Sequence, residues 1–402
     1  MTGAFQRTRI LFVDDDPNIL SGLRRMLRGC RDEWQMDFAT GGAEALAFAA
    51  ENEIEVIVSD MKMPDVDGEQ LLAEIAEKYP HVIRLVLSGQ ADKDKIFRVS
   101  SVAHQFLSKP CDPKQLQATI RKICDLKESL SRTDLNGIVT RASSVCCLPE
   151  TYNGLIEAFQ FGPDKFDRIK ELIAGDIGLA LKIMQMVSSS FLGKPNPKST
   201  LIEAVDMLGF DLLSQLFDNS DLFRPLNAEE TGHLSLASLF MRARKVASLA
   251  AEITRLNGGS HIDVSLARKA GLFHDIGRYV LAQRFPDWFA EVQDLAEGQN
   301  ETTLREAERE IFGICHYSIS SYLLALWGID QDVVDTVCAF QKLQDTCPEE
   351  FSPAAAVYVA NRLIDEQGIE AADLPEDLKC VQEIRSLQQT MNWQSLVKEC
   401  CS

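Results

Sequence analysis

The stretch ILFVDDDP, residues 10–17, decides the fold of the first third of the chain, because a short apolar run ends there in three consecutive carboxylates. Four further β-rich runs follow it, at 36–39, 55–59, 83–88 and 104–108, and segments with helical spacing separate them. Strands that alternate with helices are typical of βαβ units, in which a parallel sheet is covered on both faces. The sequence therefore predicts an α/β fold with a doubly wound five-stranded parallel sheet.

The pattern changes after this region. A helix is predicted from Pro113, which stands in the first turn where proline is tolerated, and its apolar residues recur as far as Leu130. Amphipathic helices without strands follow, so the second part is predicted to be all-α, with helices at 165–174, 177–192, 200–218, 234–256, 263–283, 303–311, 316–327, 330–344 and 352–366. We expect a first domain at 1–125, a connector helix and linker at 126–145 and a helical domain at 146–402.

Composition excludes several classes of protein. The 402 residues are 46% hydrophobic and 25% charged, as in ordinary globular proteins, and no apolar run is long enough to span a membrane. The net charge is −19, of which 23 basic and 38 acidic residues after position 136 contribute 23 − 38 = −15. This charge repels phosphate backbones and anionic lipids. We therefore expect a cytoplasmic protein that binds neither nucleic acid nor membrane, with its eleven cysteines free because none forms a C-x-x-C pair.

Functional side chains follow the predicted strands where they end. Asp14 and Asp15 follow the first strand, Asp60 the third, Ser88 the fourth and Lys109 the fifth. The carboxyl ends of parallel strands lie at one edge of a sheet. Clustered carboxylates are suited to Mg²⁺, a lysine can pair with a phosphoryl oxygen, and a serine hydroxyl can bond another. The combination predicts an aspartate that accepts a phosphoryl group.

Four motifs extend this prediction: VDDDP (13–17), VSDMKMPDVDG (58–68), LSGQAD (87–92) and FLSKP (106–110). In order and spacing they resemble the receiver domain of bacterial response regulators, which has a flavodoxin-like fold. The resemblance implies that Asp60 is the phosphoacceptor and that a sensor histidine kinase is the donor. It also implies a cis peptide bond before Pro110 and the following roles: Asp14, Asp15, Asp60 and the backbone carbonyl of Lys62 as magnesium ligands, Lys109 as the catalytic lysine, and Ser88 and Phe106 as switch residues.

In the helical part, the segment GLFHDIGRYVL (271–281) contains the pair His274-Asp275, which suggests the HD superfamily of metal-dependent phosphohydrolases. Three other segments, MQMVSSSFLG (184–193), AVDMLGFDLL (204–213) and EIFGICHYSISSYLLALWGI (310–329), resemble the related HDOD output domain. Against the catalytic HD pattern, Arg242 replaces the first histidine, Asn361 the final aspartate and Phe340-Gln341 a His-His pair. Only His274, Asp275 and His316 remain of the metal set, and an arginine beside them would repel a cation.

We therefore expect the HD remnant, comprising Arg242, His274, Asp275, His316 and Asn361, to be structural and to hold no metal or other cofactor. The expected protein is a two-component response regulator, not an enzyme, whose output domain acts on an unknown downstream protein such as a signalling enzyme. The alternative is a receiver-regulated HD-type phosphohydrolase or cyclic-di-GMP phosphodiesterase. The apolar spacing of Leu116, Ile120, Ile123 and Leu130 is compatible with a homodimer, or equally with packing on the first domain.

Overall fold

The computed structural model describes residues 7–88, 102–110, 112–130, 146–188, 199–219, 225, 236–296, 301–343 and 351–365. They form two compact units. The first holds the described residues within 1–146, 182–224 and 325–328, and the second those within 147–181, 225–324 and 329–402. Within the described residues, no helix is long and apolar enough to cross a membrane. The domain boundaries at 125 and 145 remain predictions.

The five predicted strands form one parallel sheet in the order β2-β1-β3-β4-β5. Its strands are β1 (Thr8–Val13), β2 (Trp34–Ala39), β3 (Val56–Asp60), β4 (Ile83–Ser88) and β5 (Gln105–Ser108). The helices that accompany them are α1 (Pro17–Met26), α2 (Gly42–Glu51), α3 (Gly68–Lys78) and α4 (Pro113–Leu130). The predicted fold class is confirmed.

The core of this unit explains why its strands read as continuous apolar runs. Leu11 on β1, Ile57 on β3 and Val86 on β4 are completely buried in one apolar cluster, which also contains Leu71 and Ile75 of α3. Central strands of a parallel sheet are covered on both faces, so alternate polar positions disappear from them. The same arrangement leaves only the strand ends available for polar groups.

Helix α4 packs against the sheet unit along most of its length. Leu116, Ile120 and Ile123 are buried, Arg121 pairs with Glu33 at 2.8 Å, and Lys127 lies 3.8 Å from Glu55. Of the two readings of the apolar spacing, packing within the chain accounts for Leu116, Ile120 and Ile123. These three side chains are covered and do not form a free coiled-coil seam; the side chain of Leu130 lies outside the described residues.

The second part of the chain is helical, as predicted. Its helices are α5 (Pro149–Gln160), α6 (Phe166–Gly175), α7 (Ile177–Ser188), α8 (Leu201–Asn219), α9 (Leu236–Leu256), α10 (His261–Phe273), α11 (Ile276–Arg284), α12 (Pro286–Leu295), α13 (Glu301–Phe312), α14 (His316–Leu326), α15 (Gln331–Leu343) and α16 (Pro353–Asp365). Helices α5 and α12 were not predicted, although each begins with the proline that favours the first helical position.

The predicted helix 263–283 is wrong as a single element, because the chain turns at His274 and Asp275 between α10 and α11. The packing of α11 on α14 gives a physical reason. Gly277 lies so close to α14 that a Cβ atom there would be 2.1 Å from the carbonyl oxygen of His316. The backbone N–H of Gly277 also donates to Ser320 Oγ at 2.9 Å. A straight continuation of α10 would not make this close contact.

Substituting Gly277 with alanine should therefore destabilise the helical part by about 1–3 kcal/mol, because the added methyl group overpacks the contact. The measurement is urea unfolding followed by circular dichroism. Gly22→Ala is the matched control, since Gly22 lies within α1 with no atom near its absent Cβ, and it should be neutral or slightly stabilising. Equal stability of the Gly277→Ala variant and the wild type would contradict the packing argument.

Candidate functional site: an acidic strand edge and a buried ion network

The first candidate site lies at the carboxyl ends of the strands. Asp14 and Asp15 follow β1, Asp60 ends β3, and Lys109 follows β5. Strand β3 pairs with both β1 and β4, so the acids of β1 and β3 are neighbours. Gly68 keeps this edge compact, because a Cβ atom there would lie 2.2 Å from the carbonyl oxygen of Asp60. The peptide bond between Lys109 and Pro110 is cis, as expected.

The side chains at this edge meet closely. Ligand oxygens of Asp14, Asp15 and Asp60 all lie within 4.8 Å of one another. Lys109 Nζ is 2.7 Å from Asp14 Oδ2 and 2.8 Å from Asp60 Oδ1. Burial lowers the pKa of Lys109, but its hydrogen bonds to the two carboxylates raise it more, so the net shift is upward. Lys109 therefore stays charged beside the acids.

Three carboxylates and one ammonium group leave this cluster with a formal charge of −3 + 1 = −2. Hard oxygen donors with excess negative charge are the ligands that Mg²⁺ prefers, so Asp14, Asp15 and Asp60 fit this ion. Asp14 is buried, whereas Asp15 is exposed and Asp60 is partly exposed. The cluster is thus open on one side to an incoming ion. The backbone carbonyl of Lys62 as a further ligand remains a prediction.

The structure describes the side chain of only one of the two predicted switch residues, Phe106. Phe106 lies opposite Val86 in the β4–β5 pairing, is 6% exposed and belongs to the apolar core of the unit. The side chain of Ser88 lies outside the described residues. The switch roles of both residues remain predictions.

The second candidate site joins the predicted HD remnant. His274 and Asp275 stand at the turn between α10 and α11, His316 is the first residue of α14, Arg242 comes from α9 and Asn361 from α16. The structure brings all five together. Arg242 Nη1 donates to Asp275 Oδ2 at 2.5 Å, and Arg242 Nη2 donates to Asn361 Oδ1 at 2.8 Å. Asp275 is therefore paired with Arg242.

His274 is completely buried beside this pair. Burial lowers its pKa, and the nearby Asp275 only partly offsets that effect. Its Nδ1 is 2.8 Å from the carbonyl oxygen of Gly271. Its Nε2 lies 2.9 Å from Asn361 Oδ1. The edge of the Phe340 ring packs on the imidazole at a centroid distance of 5.2 Å, so Phe340 contributes packing rather than a ligand.

Sequence analysis missed one member of the network, Glu308 on α13. His316 Nδ1 lies 2.6 Å from Glu308 Oε2, the backbone N–H of His316 donates to the same carboxylate at 3.0 Å, and both residues are fully buried. His316 Nε2 lies 3.2 Å from Asp275 Oδ1. The signal was available, since Glu308 falls one helical turn after Leu304 on the apolar side of α13, where an acid requires a partner.

The charges of this network alternate. Burial lowers the pKa of His316, but Glu308 and Asp275 on either side raise it to about 10. Burial alone would raise the pKa of Asp275, and the charges of His274, Arg242 and His316 instead hold it well below the ordinary value. Glu308, His316, Asp275 and Arg242 therefore form a chain of −, +, − and + charges, and the guanidinium of Arg278 also lies 3.8 Å from Asp275.

The donor atoms of the HD remnant are arranged differently from those of the acidic cluster at the strand ends. At the strand ends, ligand atoms of three acids, Asp14, Asp15 and Asp60, all lie within 4.8 Å of one another. Among the described residues, the histidine and acidic side chains of the HD remnant do not form a group of three that meets this distance. The guanidinium of Arg242 and the imidazolium of His316 already balance the two carboxylates. Gln341, at the other predicted ligand position, donates instead to Ser318 Oγ at 2.6 Å.

Two family models match two separate parts of the chain. The family model of the response regulator receiver domain matches residues 10–121, and that of the HDOD domain matches residues 145–343. The hydrogenase transcriptional regulatory protein HoxA of Cupriavidus necator is 30% identical over 135 residues, which are 32% of this chain and 27% of that protein. The response regulator Rre1 of Synechocystis is 29% identical over 126 residues, 30% of this chain and 54% of Rre1. The chain thus matches about a quarter to a half of these relatives' length.

Solved structures give similar matches. The signal receiver domain of an HD domain-containing protein from Pseudomonas fluorescens is 30% identical, with 31% of this chain and 99% of that chain covered and a TM-score of 0.30. The MmoQ response regulator of Methylococcus capsulatus is 22% identical, with 61% of this chain and 97% of that chain covered and a TM-score of 0.48. The two family models show that the chain contains a response regulator receiver domain at residues 10–121 and an HDOD domain at residues 145–343.

Proposed function

We propose that this protein is a phosphorylation-controlled regulator in which a sensor histidine kinase phosphorylates Asp60 and the HDOD domain acts, without catalysing a reaction, by contacting another protein. The observation that carries the proposal is the placement of Lys109 Nζ between Asp14 and Asp60, within 2.8 Å of each carboxylate. This pairing supplies a fixed positive charge at the acceptor, which a merely solvated acidic loop does not require.

The chain's own groups account for the transfer chemistry. An oxygen of the Asp60 carboxylate attacks the phosphorus of the donor, and an O–P bond forms as the donor's bond to phosphorus breaks. Such transfers depend mainly on positioning and charge neutralisation. Lys109 can pair with a phosphoryl oxygen in place of Asp60 Oδ1. Mg²⁺ bound by Asp14, Asp15 and Asp60 would neutralise the remaining negative charge on the phosphoryl oxygens.

The buried ion network of the HDOD domain supports the non-catalytic part of the proposal. An HD-type hydrolase must hold a metal that polarises its substrate and activates water. Here Arg242 occupies the carboxylate of Asp275, and arginine cannot lose its proton to make room for a cation. The enzyme alternative, a phosphohydrolase or cyclic-di-GMP phosphodiesterase, would have to break this ion pair first.

The first test concerns the acceptor. Asp60→Asn should abolish incorporation of phosphate from acetyl phosphate in the presence of Mg²⁺, because the amide is not a competent nucleophile. The measurement is mass spectrometry of the intact protein. Asp67→Asn is a matched control, since Asp67 caps α3 in the same loop and accepts a hydrogen bond from the backbone N–H of Gln70; this variant should still be labelled. Full labelling of Asp60→Asn would refute the assignment.

The second test concerns the buried network. Asp275→Ala should lower the stability of the helical domain by ~3–5 kcal/mol, because Arg242 and His316 lose their shared counter-charge. Hydrolysis of cyclic dinucleotides should be undetectable before and after the change. If the variant kept its melting temperature but lost a measurable hydrolysis, the enzyme alternative would replace the structural one.

The third test uses pH. Because the pKa of His316 is raised from 6.5 to about 10, its contribution to stability is complete below pH 6.5 and disappears as the pH rises through about 10. The stability difference between wild type and His316→Gln, measured by urea unfolding, should therefore shrink over this range. Burial lowers the pKa of Lys182 to about 7, so this residue makes stability rise with pH, opposite to the effect of His316. Lys182 is present in both proteins, so the difference between their stabilities cancels its contribution. A pH-independent difference would contradict the charged state of His316.

A further inference from the structure

Helix α12 presents an unusual outer surface in the HDOD domain. Phe289 and Val292 face the core, whereas Trp288 and Leu295 are 47% and 49% exposed. Seven residues separate these two, which places them on nearly the same line of the helix. Among the described residues of the second unit, they are the two large exposed hydrophobic side chains that share one helix.

The Trp288 ring is fixed by aromatic side chains that pack against it within the domain. Its ring stacks on Phe285 at a centroid distance of 5.2 Å and an angle of 8°, and it contacts the ring of buried Phe312 at 5.9 Å. A half-exposed tryptophan that is already fixed loses little side-chain entropy when a partner covers it. Such aromatic residues supply much of the binding energy of protein interfaces.

A line of acids runs beside the apolar line. Asp287 and Asp294 are also seven residues apart, Glu291 lies between them, and all three are exposed. The sequence of α12, PDWFAEVQDL, contains no basic residue. The outer surface of α12, which we call the α12 surface, therefore consists of an apolar line, Trp288 and Leu295, flanked by an acidic line, Asp287, Glu291 and Asp294.

We propose that the α12 surface is the contact site for a downstream protein that presents a basic amphipathic helix. Apolar residues of that helix would cover Trp288 and Leu295, and its Lys or Arg side chains would lie against the acidic line, as in other helix recognition surfaces. The acidic line disfavours anionic lipid and nucleic acid as occupants. This inference rests on the proposed protein-contact output and specifies the chemistry of the partner.

The test uses the full chain and a fluorescein-labelled synthetic peptide with leucine at positions i, i+3, i+4 and i+7 and lysine elsewhere. A second peptide has glutamate in place of every lysine. Fluorescence anisotropy should show binding of the basic peptide and none of the acidic one. Affinity should fall as NaCl is raised from about 0.05 M to about 0.5 M, because the charges on this surface are exposed to solvent.

Variants locate the binding. Trp288→Ala should weaken it at least ~10-fold. Glu291→Lys should also weaken it ~10-fold or more by placing like charges in contact. Glu291 is exposed, so this variant keeps the fold even if Trp288→Ala does not. Matched controls are Phe161→Ala and Glu157→Lys at the end of α5, where Phe161 is 64% exposed and Glu157 is exposed; these should change the affinity less than about 2-fold.

Several outcomes overturn the proposal: equal binding of both peptides, no binding of either, or equal effects of the α12 and α5 variants. Self-association that Glu291→Lys abolishes in sedimentation would make a second copy of the chain the occupant and would also overturn it. Labelling of Asp60 by acetyl phosphate is measured on the same variants. Normal labelling with no peptide binding refutes the α12 surface alone, whereas peptide binding without labelling refutes the phosphorylation proposal alone.

Discussion

A carboxylate removed from water requires a compensating cation, and both clusters of this protein are organised by that requirement. Asp14 is 2% exposed and is held by Lys109; Asp275 is 7% exposed and is held by Arg242 and His316. In each cluster the carboxylate determines where elements distant in sequence must meet. Strands β1, β3 and β5 converge on the first cluster, and helices α9, α14 and α16 on the turn that carries the second.

The two clusters differ in how much of the carboxylate charge is balanced by neighbouring cations. The receiver cluster retains a formal charge of −2 and includes the exposed Asp15, so an ion and a phosphoryl donor can complete it reversibly. The HDOD network has a cation for each carboxylate, because Arg242 and His316 balance Asp275 and Glu308 in a largely buried setting. An incomplete cluster is suited to a reversible chemical event, whereas a complete one is suited to holding helices together.

The strand ends could be predicted from sequence because short apolar runs followed directly by Asp14, Asp60 and Lys109 fix both the sheet and its polar edge. Arg242 and Asn361 could be predicted as members of the HD remnant by comparison with the catalytic HD pattern, and the structure places them in one network with His274 and Asp275. Glu308 could not be assigned in the same way, since its partner His316 is eight residues away across a turn and depends on the angle between α13 and α14. The break at His274 was also hidden, because periodicity continues across it and the close contact of Gly277 with α14 is tertiary.

The buried network around Asp275 also limits the ways in which phosphorylation could change the output of the protein. A phosphoryl group adds about two negative charges at Asp60 and shifts a conformational equilibrium only by its differential affinity for the two states, with about 5.5 kcal/mol needed to change a 99:1 ratio to 1:99. Under the proposed non-catalytic role, no ion binds to the network around Asp275 to add to that difference. A downstream protein that binds one state better can supply the remaining bias through its own contacts. The surfaces of the HDOD helices, and not its buried histidines, are therefore where selective contacts can bias the output.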